Sequence, residues 1–359
     1  MNNTKIKDVR LFKATSTLSK PIADATHQIS EISFVVLEVE LESGVIGQGY
    51  LLAFHYSPNA IIGALKDIVE QVKGFHAYET LKVRELLAQE HEYFGHEGLL
   101  QWASATINIA MWDAWGKTLG QPIHRLFGQS RDKVPVYGSG GWLSYSNQEL
   151  IEEVTDYKKR GFTAVKIKVG SKETGRDIER LKLVREAVGP KLNIMMDANQ
   201  GMNLQDAISL SQQAKDIGIY WFEEPVNHTN YAGYETLRKK TQISISTGER
   251  EFSNQPLLEL IRRDAIDLWQ PDILRIGGVE SWKESAALAQ AYKIPVLPHY
   301  YKDYDVPLLC TIDNGAGAES FDWIDDIIDN KMKVDNGFAY PRQTPGWGFE
   351  FLHKFMTEV

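Results

Sequence analysis

Eight short apolar runs recur along the second two thirds of the chain, at 134–137, 164–168, 193–197, 220–223, 244–249, 267–272, 294–299 and 315–319, most of them starting about 22 to 30 residues apart. The intervals contain amphipathic helical segments such as 177–188 and 281–292. Strands alternating with helices at this cadence predict an α/β fold, a closed (β/α)8 barrel whose strand ends converge on one mouth. The eighth run, Gly315-Ala316-Gly317-Ala318-Glu319, is glycine-rich and has the weakest strand character of the set.

The first part of the chain has a different texture. Alternating residues across 32–50 flank a Ser43-Gly44 turn and read as antiparallel strands, and 58–120 carries helical spacing in Ile61, Leu65, Ile68 and Val72 and again in Ala103, Ile107, Ala110 and Ala114. Strands followed by helices predict a separate α+β capping domain over 1–128, ahead of a barrel over 129–324. The tail, 325–359, holds Gly337, Pro341 and Pro345-Gly346-Trp347-Gly348 and is expected to fold back onto the capping domain. The 359 residues accommodate a barrel of roughly 250 residues and a smaller domain beside it.

A net charge of −9 with no Lys/Arg-rich block argues against a nucleic-acid partner. No run approaches the roughly 18 apolar residues that would span a bilayer, so no membrane partner is expected. Cys310 is the only cysteine and follows Leu308-Leu309, which reads as a small hydrophobe and leaves no intrachain disulfide. With a polar start, Met1-Asn2-Asn3-Thr4-Lys5, the expected location is cytoplasmic.

Three of the runs end on carboxylates at a constant interval of 26 residues, Asp197, Glu223 and Glu249. One acid at a strand end is as easily a solvated residue or a helix cap; three at matched positions predict a hard divalent cation, Mg2+ before Zn2+ because no His or Cys joins the set. Glu224 adjoins Glu223, but strand alternation turns the two to opposite sides. Asn199, two residues past Asp197, is expected to share its side and contact substrate.

Lys166 and Lys168 alternate on one face of the second run, between Val165, Ile167 and Val169. Two ammonium groups side by side, near a dication, are expected to have lowered pKa values, which makes Lys168 a candidate base and Lys166 its neighbour against the substrate. His299 and Asp272 end the seventh and sixth runs and are therefore expected to meet at the mouth as an oriented acid–base pair. Glu319 ends the eighth run and is expected to act as a protonated acid toward a carboxylate oxygen that gains charge. His27, Ser139, Tyr300 and Arg250 complete the candidate substrate contacts.

Lys166-Ile167-Lys168, Asp197-Ala198-Asn199, Phe222-Glu223-Glu224-Pro225, Gly248-Glu249, Asp272 with Gly277-Gly278-Val279, and His299 together resemble the mandelate racemase group of the enolase superfamily. The resemblance extends to the first domain, through Ala110-Met111-Trp112-Asp113-Ala114-Trp115-Gly116-Lys117 and Leu126-Phe127-Gly128. It implies a homo-oligomer, often an octamer, that binds a carboxylate substrate on Mg2+ and removes the proton alpha to it to give an enediolate. It also implies Asp197, Glu223 and Glu249 as ligands, Lys168 and His299 as proton-transfer groups, Asp272 as partner of His299, and Lys166 and Glu319 as stabilisers. A non-catalytic homologue is expected to lack a base or a ligand, and none is missing.

The same residues serve two outcomes, loss of a beta-hydroxyl or return of the proton to the same carbon. The resemblance makes 21–31 a loop that closes over the mouth, and its Asp24, His27, Gln28 and Ser30 suit a polyol better than a phenyl group. An acid-sugar dehydratase is therefore expected first and a 2-hydroxy-acid racemase or epimerase second. Arg250, directly after Glu249, either points away or binds a distal carboxylate.

Overall fold

Near-continuous apolar character from Ile32 to Leu41 marks a strand buried on both faces, and this strand anchors the capping domain. The computed structural model describes residues 3–359. In chain order the first domain contains β1 (Ile6–Ser16), a small ribbon of β2 (Ile22–Ala23) and β3 (Gln28–Ile29), β4 (Ile32–Leu41), β5 (Ile46–Leu52), and helices α1 (Pro58–Ile68), α2 (Thr80–Glu90), α3 (Leu99–Leu119) and α4 (Ile123–Leu126). β1, β4 and β5 pair antiparallel, with β4 buried at nearly every position.

Helix α3 lies directly on β5 because two glycines remove the side chains between them. A Cβ at Gly47 would stand 2.2 Å from the Ala110 carbonyl oxygen, and one at Gly49 would stand 2.5 Å from that of Thr106. The outer edge of β5 is not left open. Its Tyr50 and Leu52 N–H groups donate to the phenolic oxygens of Tyr304 and Tyr301, at 2.9 and 3.1 Å.

The barrel runs through β6 (Val134–Gly140), α5 (Asn147–Lys159), β7 (Ala164–Lys168), α6 (Thr174–Val188), β8 (Asn193–Asp197), α7 (Leu204–Gln213), β9 (Ile219–Glu223), α8 (Tyr231–Lys240), β10 (Ser244–Thr247), α9 (Gln255–Arg262), β11 (Leu268–Trp269), α10 (Val279–Ala291), α11 (Lys302–Leu309) and β12 (Ala318–Ser320). Neighbouring strands from β6 to β11 pair in parallel and β12 returns to β6. The seventh run is not a full strand. Only Val296 bridges, to Trp269 on one side and Gly315 on the other, because Pro295 and Pro298 lack the N–H groups a longer ladder needs. That single residue nevertheless closes the barrel.

After the barrel, β13 (Lys333–Asp335) and β14 (Phe338–Tyr340) form a hairpin that pairs with the start of β6, and β15 (Met356–Glu358) adds an edge to β1. Between them the Trp347 N–H donates to the buried Asp113 carboxylate of α3 at 2.8 Å. The tail thus touches both the barrel and the capping domain. Among the described residues no helix is long and apolar enough to cross a membrane.

At the end of β6 the Gly141 N–H donates to Glu153 of α5 at 2.6 Å. Burial, opposed in part by that N–H, pushes the Glu153 carboxyl up to about 7.

Gly47→Ala is expected to destabilise the protein by about 2–3 kcal/mol, because the new methyl meets backbone rather than a mobile side chain; an unchanged urea midpoint would refute the packing argument. A carboxyl with a folded pKa near 7 against an ordinary 4.5 stabilises the fold most below pH 4.5 and loses that contribution as pH rises through 7. Glu153→Gln, which keeps an acceptor for Gly141, is therefore expected to raise the thermal midpoint relative to wild type more at pH 8 than at pH 5. Equal gains at both pH values would count against a buried titrating Glu153.

Candidate active site

Parallel register places the charged groups in a row. Lys168 stands opposite Asp197, and Asp197 opposite Glu223, on three consecutive strands. Glu249 follows two residues after the end of β10, past Gly248, whose φ of 137° is open to glycine and whose built Cβ would strike the Trp269 ring at 2.7 Å. His299 follows the Val296 bridge, with Nδ1 2.8 Å from Asp272 Oδ2 and Nε2 3.5 Å from Glu249 Oε2. Across the mouth the order is Lys168, Asp197, Glu223, Glu249, His299, with Asp272 behind the imidazole.

The two lysines are spent on these acids. Lys168 donates to Asp197 Oδ2 at 2.5 Å; Lys166, almost wholly buried, sits 2.6 Å from both Glu223 and Glu319 and 3.7 Å from Asp197. The expected lowering of their pKa values is not seen in this arrangement. Burial lowers both, but Glu223 and Glu319 around Lys166, and Asp197 beside Lys168, outweigh it and raise them. Glu319 differs from expectation as well. Burial favours its proton, yet Lys166, His299 and Lys168 hold it down at about 2, so it accepts the Tyr300 N–H at 2.9 Å as a carboxylate.

Burial, opposed by Lys166 but reinforced by the charges of Asp197, Glu319 and Glu249, pushes Glu223 up to about 7. Burial also works against Glu249, but His299, Arg250 and Arg275 outweigh it and hold Glu249 below the usual carboxylate range. His299 is raised, because Glu249 and Asp272 overcome the effect of burial.

A cleft of about 890 Å3, counted to its open mouth, lies over this row, lined by Lys168, Asn199, Glu249, Asp272 and His299 from the barrel and by Asp24 and His27 from the β2–β3 ribbon. The ribbon sits close, since a Cβ at Gly201 would stand 2.4 Å from that of Ala25. Asp24 accepts the N–H groups of Thr26 and His27 at 2.7 Å. Asn199 donates its N–H to Asp197 at 2.8 Å, and its side-chain oxygen is buried with no partner.

Tyr300 and Arg250 also line the cleft. Asp197, Glu223, Lys166, Glu319 and Ser139 do not. Ser139 falls within β6, which extends to Gly140 rather than ending at Tyr137, and its Oγ is buried without a partner. Glu224, assigned to the far side by alternation, leaves the extended conformation at φ 39° and takes the Arg250 Nε at 3.2 Å. Sequence reasoning did not find Gln270, which donates to Glu223 at 2.8 Å, or Arg275, 3.6 Å from Glu249. It also missed the aromatic residues Trp142, Phe321 and Trp323 of the cleft wall. Gln270 lies within a predicted strand end, which is the one signal that pointed to any of them.

Asp197, Glu223 and Glu249 suit a hard cation by donor type, being all oxygen and carrying more negative charge than burial tolerates without a counterion. Among the described residues no three His, Cys, Asp or Glu side chains already converge on one point, and the lysines supply the countercharge instead.

The fold and site define a barrel protein with a capped, carboxylate-rich mouth that has a lysine at one end of the row and a histidine at the other. Residues 6–128 match the mandelate racemase / muconate lactonizing enzyme N-terminal domain, and 149–354 match the enolase C-terminal domain-like family. The chain belongs to the mandelate racemase / muconate lactonizing enzyme family of the enolase superfamily. It is 27% identical to L-talarate/galactarate dehydratase of Salmonella typhimurium, covering 96% of this chain and 88% of the relative. Arabinonate dehydratase of Saccharolobus solfataricus is 28% identical, with 96% of each covered. The structure of L-talarate dehydratase from Polaromonas sp., complexed with Mg and L-glucarate, superposes with a TM-score of 0.91 at 25% identity over 99% of both chains.

Proposed function

We propose that this protein is a Mg2+-dependent lyase that dehydrates an acid sugar, removing the proton alpha to its carboxylate and the neighbouring hydroxyl as water. The observation that carries this reading is the row itself, with Lys168 and the Asp272–His299 pair at opposite ends of three oxygen donors. The dehydratase activities and bound Mg of the relatives named above support it. Mg2+ held by Asp197, Glu223 and Glu249 would supply countercharge for the substrate carboxylate and for the electron density that proton removal places on it.

Lys168 keeps its proton through Asp197. With that carboxylate engaged as a ligand, burial favours the neutral amine that a base requires. Lys168 then accepts the alpha proton, and the imidazolium of His299, oriented by Asp272, protonates the beta-hydroxyl as its C–O bond breaks. The resulting enol rearranges to a 2-keto-3-deoxy acid. Asn199, His27 and Tyr300 contact the substrate chain, while Lys166 and Glu319 act from beneath, fixing Glu223 and the Tyr300 backbone. A cytoplasmic homo-oligomer belongs to the same reading.

A library of aldonates and aldarates, incubated with protein and Mg2+ and assayed for 2-keto-3-deoxy products, tests the reaction. Loss of optical activity from a 2-hydroxy acid with no keto product would instead identify a racemase. On a true substrate, Lys168→Ala and His299→Asn are each expected to lower turnover by at least about 10²–10⁴-fold, with Mg2+ binding by calorimetry retained and chelation abolishing wild-type activity. Full activity in either variant would remove that residue from the mechanism.

A further inference from the structure

The eight barrel positions fix what lies across the cleft from the carboxylates. Glu223 ends the fourth strand, β9, and the strand diametrically opposite is the eighth, β12, which pairs with β6. The loops after β12 and β6 carry Phe321, Trp323 and Trp142. Trp323 is the hub of this face. Its ring stacks on Phe321 at 4.3 Å and on Trp142 at 6.1 Å, and it meets Tyr300 at 5.5 Å and Phe54 of the capping domain at 6.0 Å.

The positive groups of the cleft each face a carboxylate, Lys168 included, whose Nζ also lies 5.3 Å from the centre of the Trp142 ring. Lys168 is bound to Asp197. Arg250 spans Glu224 and Glu249 at 3.2 and 3.4 Å. Arg275 donates to the Glu249 carbonyl oxygen at 2.7 Å. Lys302 is buried against Asp322 and Asp325 and does not line the cleft.

A substrate whose carboxylate lies at Asp197, Glu223 and Glu249, between Lys168 and His299, points its far end at Trp323. Aromatic faces carry the negative part of a quadrupole, which repels an anion and accepts polarised C–H bonds. A carboxylate brought there would be desolvated without a partner. The ionised Asp24 at the rim adds a further repulsion.

We infer that the face formed by Trp142, Phe321 and Trp323 receives the uncharged, C–H-rich distal end of a monocarboxylate substrate, and that a second carboxylate at that end is rejected. This rests on the acid-sugar reading and narrows it, placing aldonates and their terminally deoxygenated forms ahead of aldarates. Trp323 is the residue that sets the choice. Arg250 is a positioning residue for Glu249 and Glu224, not a receptor for a distal acid.

The test uses sets of three acid sugars with the same configuration at the reacting carbons and a methyl, hydroxymethyl or carboxylate terminus. With the Mg2+-loaded enzyme, the methyl and hydroxymethyl members are expected to exceed the dicarboxylate in kcat/KM by about 100-fold or more, the scale of leaving a buried charge unpaired. Trp323→Arg is expected to shrink that ratio at least about tenfold by supplying a cation, chiefly through KM, whereas Trp323→Phe preserves it. Equal or better use of the dicarboxylate by wild type overturns the inference while leaving the dehydratase reading intact, as does an unchanged ratio in a folded Trp323→Arg protein.

If no acid sugar is dehydrated, the dehydratase reading falls and the aromatic face is still decided by binding. Tryptophan fluorescence titrations of the Lys168→Ala protein with 2-hydroxy acids bearing methyl or carboxylate tails then favour the methyl tail, or overturn the inference by showing no preference.

Discussion

Buried charge compensation is the constraint on which the rest of this molecule depends. Lys166 and Lys168 are 1% and 5% exposed, and Asp197, Glu223 and Glu319 no more than 2%, so that none of them can rely on water. Isolated, each would be prohibitively costly to bury; together the two lysines offset much of the charge of the three carboxylates. The pairing works only in one register, Lys168 opposite Asp197 opposite Glu223. A slip of one residue would turn every one of these side chains from the mouth to the helix side. Chemistry and barrel register are therefore set by the same contacts.

An apolar layer beneath completes this arrangement. Tyr137, Met195, Trp221, Leu268 and Leu297, from five of the eight barrel positions, fill the interior, with the Tyr137 and Trp221 rings edge to face at 5.3 Å. Lys166 rests 5.7 Å above the Tyr137 ring. The cleft opens on the opposite side of the polar groups from this layer, and a ligand approaches from there.

Much of this was legible in the residues because strands of period two and helices of period 3.6 leave strong traces. The bounds at 164–168 and 193–197 coincide with β7 and β8, and the row from Lys168 to His299 follows from strand ends alone. Legibility failed where the backbone left those periods. Glu224 escaped alternation through a positive φ, and the seventh run lost its ladder to prolines. Ser139, expected to contact substrate, lies within β6, which runs on past Tyr137 to Gly140. The aromatic wall had no local signature at all. Phe54, Trp142 and Trp323 come from three distant loops, and only closure of the barrel and docking of the cap bring their rings together. The polar residues of the ribbon, by contrast, sit at consecutive positions and dominate a linear reading, so the cleft looked more hydrophilic than it is.

The tyrosine hydroxyls that finish the edge of β5 have a mechanical consequence. Tyr301 and Tyr304 belong to the segment that begins at His299, so a hinge between cap and barrel would strip two amide donors of their acceptors and drag the imidazole along. The two domains are welded next to His299. The two-strand ribbon around Asp24 and His27 is tied down as well, with Ile22 and Ile29 buried in the core and the Leu143 N–H donating to the Ala23 carbonyl oxygen at 2.8 Å. A ligand entering the cleft is therefore met by Lys168 and His299 at a spacing already set by the joint between cap and barrel.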